Sequence, residues 1–140
     1  MGMFTLGAKL YLSSRNRKID NFRKNPIDLQ TKILRKLLLF SKNTSYGIKY
    51  RFNNLTNYKD FSESVPVVNY EEFYPEIKKV LSGEENVLWP EKIKWFAKSS
   101  GTTNDKSKYI PVSEESLRIN HFRSGKDLLA SYIILSLIHI

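Results

Sequence analysis

The sequence predicts a mixed α/β fold in which helices come first and a strand–loop–strand–helix run follows. Three observations lead there. Leu29, Ile33, Leu37 and Phe40 recur at helical spacing behind an Asn25-Pro26 start. Two short runs, "IKWFAK" at 93–98 and "KYIPV" at 108–112, flank a polar, turn-forming segment. Ser113-Glu114-Glu115 then supplies a helix start ahead of another stretch of spaced apolar residues.

Taken in order, residues 4–22 read as a helix, with Leu6, Leu10, Ile19 and Phe22 apolar and basic residues between them. Asn25 suits an N-cap for the next helix, Pro26 its first position, and Asp28 the positive end of the helix dipole. The stripe Leu29, Ile33, Leu37 and Phe40 is predicted to be its buried face, and "SKNTSYG" to end it. Asn69 with Glu72 three residues later resembles a capping pair. Because proline cannot sit deep in a helix, two short helical turns are predicted here, the second opened by Pro75 and closed by Gly83. Residues 93–98 and 108–112 are predicted to pair as antiparallel strands around a 99–107 loop. Pro111, lacking an N–H, belongs at an edge or a strand end. Ile119, Phe122, Leu129 and Ile133 are core candidates in the last helix, and Trp89, Trp95 and Phe96 are read as core too.

Size allows one modest core, since 41% of the 140 residues are hydrophobic. Cysteine is absent, which excludes disulfides, thiolate metal sites and a cysteine nucleophile. The opening "MGMFTLGAKLYL" lacks the basic start of a signal peptide, and Leu6 stands where a myristoylation motif needs Ser or Thr. The run "YIILSLIHI" at 132–140 is too short to span a bilayer, so a cytoplasmic protein without a membrane partner is expected. Net charge is +9, and residues 1–70 hold all of the excess, with 13 basic and 4 acidic side chains. A small basic module binding nucleic acid is therefore the alternative reading. Against it, "SRNRKIDNFRKNP" spaces its charges as a solvated helix face does, without stacking aromatics between them. His121 and His139 have no ligand spacing, so no metal site is expected. Glu71-Glu72, Glu84-Glu85 and Glu114-Glu115 read as helix-start or solvated charges.

The chemistry-bearing stretch is "SSGTTNDKSK" at 99–108. Phosphate oxygens are held by short converging donors, by backbone N–H groups that glycine allows to approach, and by a nearby ammonium group. A Walker A loop is rejected, because Lys106 stands where the second glycine should be and a strand-like run follows instead of a helix. The Ser/Thr/Gly-rich loop of adenylate-forming enzymes, [ST]-[ST]-G-[ST]-[ST]-x-x-x-x-K, fits at Ser99, Ser100, Gly101, Thr102, Thr103 and Lys108. From these ten residues alone, an ordinary polar turn remains the competing account.

The surrounding segments resemble a known family. The "YG" at 46–47, "VPVVNYEEFYPEI", the "GE" at 83–84 and "FAKSSGTT" with Lys108 and "IPVS" stand in the order and spacing of acyl acid amido synthetases of the auxin-responsive promoter (Gretchen Hagen) family. The resemblance covers about Asn43 to Ser113. It implies the N-terminal part of the large adenylating domain of an adenylate-forming, acyl-CoA synthetase-like enzyme. The implied activity is ATP-dependent ligation with Mg²⁺: a small-molecule carboxylic acid is adenylated, then passed to an amine, typically of an amino acid. By carry-over Ser99, Ser100, Gly101, Thr102 and Thr103 line the triphosphate with Lys108 beside them, and no catalytic acid or base is implied in this segment. Asn104-Asp105 replace a glycine common in that loop, and Ser107 stands where proline often precedes the lysine. Enzymes of this family run to several hundred residues, so residues 1–140 are expected to be an incomplete N-terminal portion of one domain. Residues 131–140, which leave the resemblance abruptly, are expected to be a non-native tail.

Overall fold

The computed structural model describes residues 3–99 and 107–138, with side chains described at 14–99 and 107–133. It divides into two compact units, Met1–Leu29 with Glu115–Ile140, and Gln30–Glu114.

In the first unit, α1 (Met3–Lys24) packs against α7 (Arg123–Ile138). Among the described residues, an ion pair between the buried Arg15 guanidinium and Asp127 joins them, and Ala130 of α7 is fully buried. The carboxylate satisfies a cation that burial would otherwise penalise. The expected apolar core of the last helix is only partly formed. Ile119 and Ile133 are half-buried, whereas Phe122 and Leu129 are exposed. The chain reaches α7 through a short α6 (Glu114–Ser116) and a π-helical stretch, Leu117–Phe122. Asn25 does not cap α2 (Pro26–Ser41) with its side chain. Its carboxamide donates to Asn21 Oδ1 at 3.0 Å, and its backbone carbonyl accepts the Leu29 N–H at 3.2 Å.

The second unit begins within α2. Of the Leu29–Phe40 stripe predicted as the buried face of that helix, Leu29 is half-buried and the other three residues are exposed in this chain. Ile33 is 55% exposed, and Leu37 and Phe40 are exposed too, while Leu38 is buried. The cause lies in "LLLF" at 37–40, which is apolar around most of the helix and leaves periodicity unable to choose a face. Phe40 nevertheless stacks on Trp89 at 4.8 Å.

The turn after α2 is the most tightly determined part of the unit. α3 (Ser45–Lys49) has only five residues, yet all four of its leading N–H groups are satisfied. Thr44 N–H donates to the Ser41 carbonyl, Ser45 to that of Asn86, Tyr46 to that of Val87, and Gly47 to Thr44 Oγ1. Thr44 itself is 0% exposed. Around this point sits an aromatic cluster: Tyr46 lies 4.6 Å from Tyr50, 5.5 Å from Phe73 and 6.1 Å from Phe52. Burial, then the neighbouring Tyr50, raise the Tyr46 phenol above its ordinary pKa, so it stays neutral.

A 3₁₀ turn (Phe52–Asn54) and α4 (Tyr58–Ser64, capped by Asn57) lead to α5 (Tyr70–Leu81). The Asn69–Glu72 capping box is present, with Asn69 Oδ1 accepting the Glu72 N–H at 2.9 Å and Glu72 Oε2 accepting the Asn69 N–H at 3.1 Å. The two predicted turns are one helix with Pro75 inside it. A strong cap, buried Ile77 and Val80, and Lys78-Lys79 at the C-terminal end outweigh the single hydrogen bond that Pro75 cannot make. Gly83, at φ +88°, closes the helix as predicted: its N–H bonds the Val80 carbonyl and that of Glu84 the Lys79 carbonyl. After an irregular segment containing buried Val87, β1 (Trp95–Ser99) and β2 (Lys108–Val112) form an antiparallel hairpin. The two predicted strands form and pair, with β1 beginning at Trp95 and ending at Ser99, and residues 100–106 between them lie outside the described residues. Trp95, read as core, is 58% exposed, and Phe96 is half-buried.

Candidate functional site

The hairpin places the two ends of the hydroxyl-rich segment side by side. Ser99 is the last residue of β1 and Lys108 the first of β2, and they are direct cross-strand partners. Directly opposed residues project from the same face with Cβ atoms about 5 Å apart, so a hydroxyl and an ammonium stand together at the loop's base. Ser100, Gly101, Thr102 and Thr103 lie outside the described residues.

Lys108 is held by the first turn of α5. Its Nζ lies 3.6 Å from Glu71 Oε1 and 5.1 Å from the centre of the Tyr70 ring. The Tyr70 hydroxyl accepts the Tyr109 N–H at 2.8 Å and donates to the Tyr109 carbonyl at 3.3 Å. Both backbone groups of Tyr109 therefore point away from β1, which makes Lys98–Tyr109 and Phe96–Pro111 the non-hydrogen-bonded pairs. Pro111 costs the ladder nothing there, as its edge placement required. Ser99–Lys108 is by the same alternation a hydrogen-bonded pair, and it is the last before the loop.

Sequence reasoning missed Tyr70. Its signal was present: a capping box over 69–72 fixes residue 70 as the first of the helix, but nothing local reveals which strand the ring meets. Glu71, read as a helix-start charge, is that and also the partner of Lys108. Among the described residues no group of three His, Cys, Asp or Glu side chains could hold a metal ion, and no helix is long and apolar enough to cross a membrane.

Comparison with known proteins decides the family. Residues 15–134 match the model of the GH3 family N-terminal domain. The chain belongs to the GH3 family. Over 100 residues it is 34% identical to indole-3-acetic acid-amido synthetase GH3.2 of Arabidopsis thaliana, which covers 71% of this chain and 18% of that protein. Over 99 residues it is 27% identical to jasmonoyl--L-amino acid synthetase JAR6 of Nicotiana attenuata, covering 70% of this chain and 17% of the relative. The solved structure of GH3.15 acyl acid amido synthetase superposes with a TM-score of 0.73 at 25% identity, covering 87% of this chain and 21% of that one. The chain thus spans about a fifth of the length of the GH3 proteins it matches. The mixed helical and two-stranded architecture is that of the corresponding part of a GH3 synthetase, and the nucleic-acid alternative finds no support in any comparison.

Proposed function

We propose that this chain is the N-terminal part of an ATP-dependent acyl acid amido synthetase and that its 99–108 loop holds the triphosphate of ATP. The observation that supports this reading most directly is the hairpin base. Ser99 and Lys108, the outer residues of the hydroxyl-glycine pattern, are cross-strand partners, so the two ends of the segment stand side by side, with an ammonium beside the first hydroxyl. Ser99, Ser100, Thr102 and Thr103 supply hydroxyls, Gly101 lets the backbone approach, and Lys108 supplies positive charge.

The reaction has two halves. A carboxylate oxygen of the acid bonds to the α-phosphorus of ATP as the α–β anhydride bond breaks, giving an acyl-adenylate and pyrophosphate. The amine of an amino acid then attacks the acyl carbon, AMP leaves, and the amine proton passes to solvent. Negative charge gathers around phosphorus in the first half, where fixed donors stabilise the transition state most. Mg²⁺ neutralises triphosphate charge when bound. No residue of this segment is assigned acid–base work. Cysteine-free composition is consistent with a cytoplasmic setting.

Acid-dependent ATP–pyrophosphate exchange, measured on the entire polypeptide the gene encodes, isolates the first half-reaction. A hydroxyl bonded to a charged acceptor contributes about 1.5–3 kcal/mol, so Thr103→Val and Lys108→Ala should each slow exchange about ten- to a hundredfold. Exchange at the parental rate in both variants, across the acids the parent accepts, would leave the loop a mere turn.

A further inference from the structure

We infer that Tyr70 is a positioning residue for the phosphate loop, acting on Lys108 through both its ring and its hydroxyl. This rests on the proposed phosphate-binding role of the loop and names a residue that the loop's own pattern does not contain.

Among the described residues, no strand neighbours the outer edge of β2. Tyr109 turns its N–H and C=O toward that edge, one residue from the loop, and unpaired edge groups of this kind fray or recruit other strands. One phenol occupies both positions, at 2.8 Å and 3.3 Å. The hydroxyl stands in for a third strand at the residue where its absence would loosen Lys108 most. The same ring lies under the Lys108 ammonium, which is about half exposed and keeps Glu71 as a counter-ion. A lysine side chain has four rotatable bonds, and an aromatic face limits where its charge can go. Tyr70 does not wander in turn, since the Asn69–Glu72 capping box fixes it as the first residue of α5 and its ring packs on Tyr74 at 5.8 Å. Chain and cation are thus registered by one side chain from a different element.

The test uses the entire encoded polypeptide with two readouts, the KM for ATP in pyrophosphate exchange and hydrogen exchange at the Tyr109 amide without nucleotide. Tyr70→Phe keeps the ring and removes the hydroxyl. The Tyr109 amide should then exchange about tenfold faster, and KM for ATP should rise about three- to tenfold with kcat changed less than twofold. Coupling to the cation is tested by Tyr70→Phe combined with Lys108→Ala, which should raise KM no further than Lys108→Ala alone. Glu71→Gln leaves the hydroxyl pin intact and releases the ammonium, so it should lower KM for ATP about two- to threefold. If Lys108→Ala raises KM and Tyr70→Phe does not, the inference fails while the phosphate-loop reading stands. If neither changes exchange, the phosphate-loop reading falls and takes the inference with it. Additive effects in the double variant, or a higher KM in Glu71→Gln, would also overturn the inference.

Discussion

Replacing Gly47 by alanine should be among the most damaging single-methyl changes in this chain. A Cβ at Gly47 would lie 2.1 Å from the Ser41 carbonyl oxygen, 3.0 Å from its carbon and 3.1 Å from the Lys42 carbonyl carbon. Relief demands a backbone shift of about 1 Å, because the obstacle is main chain and not a flexible side-chain end. The same carbonyl accepts the Thr44 N–H at 3.0 Å and Thr44 Oγ1 at 2.7 Å, between the buried Ser41 and Thr44. Stranding buried donors costs about 1–3 kcal/mol each, and overpacking costs about as much again. Helix propensity returns only about 1 kcal/mol to alanine in α3. The net expectation is a loss of about 2–5 kcal/mol. Urea unfolding at low micromolar concentration, followed by Trp89 and Trp95 fluorescence, should show the midpoint falling by about 1–2 M. Gly125→Ala is the control: among the described residues nothing approaches within 4 Å of its Cβ, so propensity acts alone and α7 gains up to about 1 kcal/mol. A Gly47→Ala midpoint at or above the parent's, or an equal loss in Gly125→Ala, would refute the reasoning.

Two other perturbations follow from local bonding. Hydrogen bonds from Thr56 Oγ1 (2.8 Å), Thr56 N–H and Asn57 hold the Asp60 carboxyl below its usual pKa. A depressed acid stabilises the fold fully above its unfolded pKa near 4 and loses that contribution as pH falls through the lower folded value. The protection of the Thr56 amide, its exchange rate set against the free-peptide rate at the same pH, should accordingly fall below about pH 4 in the parent, and be low and independent of pH in Asp60→Asn. Pro75→Ala returns an N–H opposite the Glu71 carbonyl in α5; after the loss of proline's restraint on the unfolded chain, a gain of about 1–2 kcal/mol should raise the urea midpoint. A lower midpoint would mean that Pro75 fits the helix without cost.

Local chemistry was legible where it is self-contained. Gly83 closing α5, the Asn69–Glu72 box and the hairpin around 99–107 each depend on residues within a few positions, and each formed. Faces were legible only where apolar and polar residues alternate cleanly. In α2 the run "LLLF" hid that Leu38, not Leu37 or Phe40, is buried, and in α7 the buried apolar residue among those described is Ala130, which no hydrophobicity pattern singles out. Pro75 misled because its local rule is sound and tertiary packing overrode it. At the candidate site the two ends of the pattern, Ser99 and Lys108, stand opposite each other, as strands flanking a turn-rich segment require. Tyr70 was not legible there, because its partner lies 39 residues away.

The carbonyls of Asn86 and Val87 serve α3 from a stretch with no regular structure, with Asn86 at φ +57° aiming its own and Val87 only 1% exposed. Such a stretch should tolerate changes of length poorly. Adding or deleting one residue between Gly83 and Val87 would slide both acceptors out of register with Ser45 and Tyr46, a defect no side-chain change repairs. The connection before α5 carries no comparable duty at Val67, which is 102% exposed, so that is where a tag, a cleavage site or a reporter loop could be spliced in.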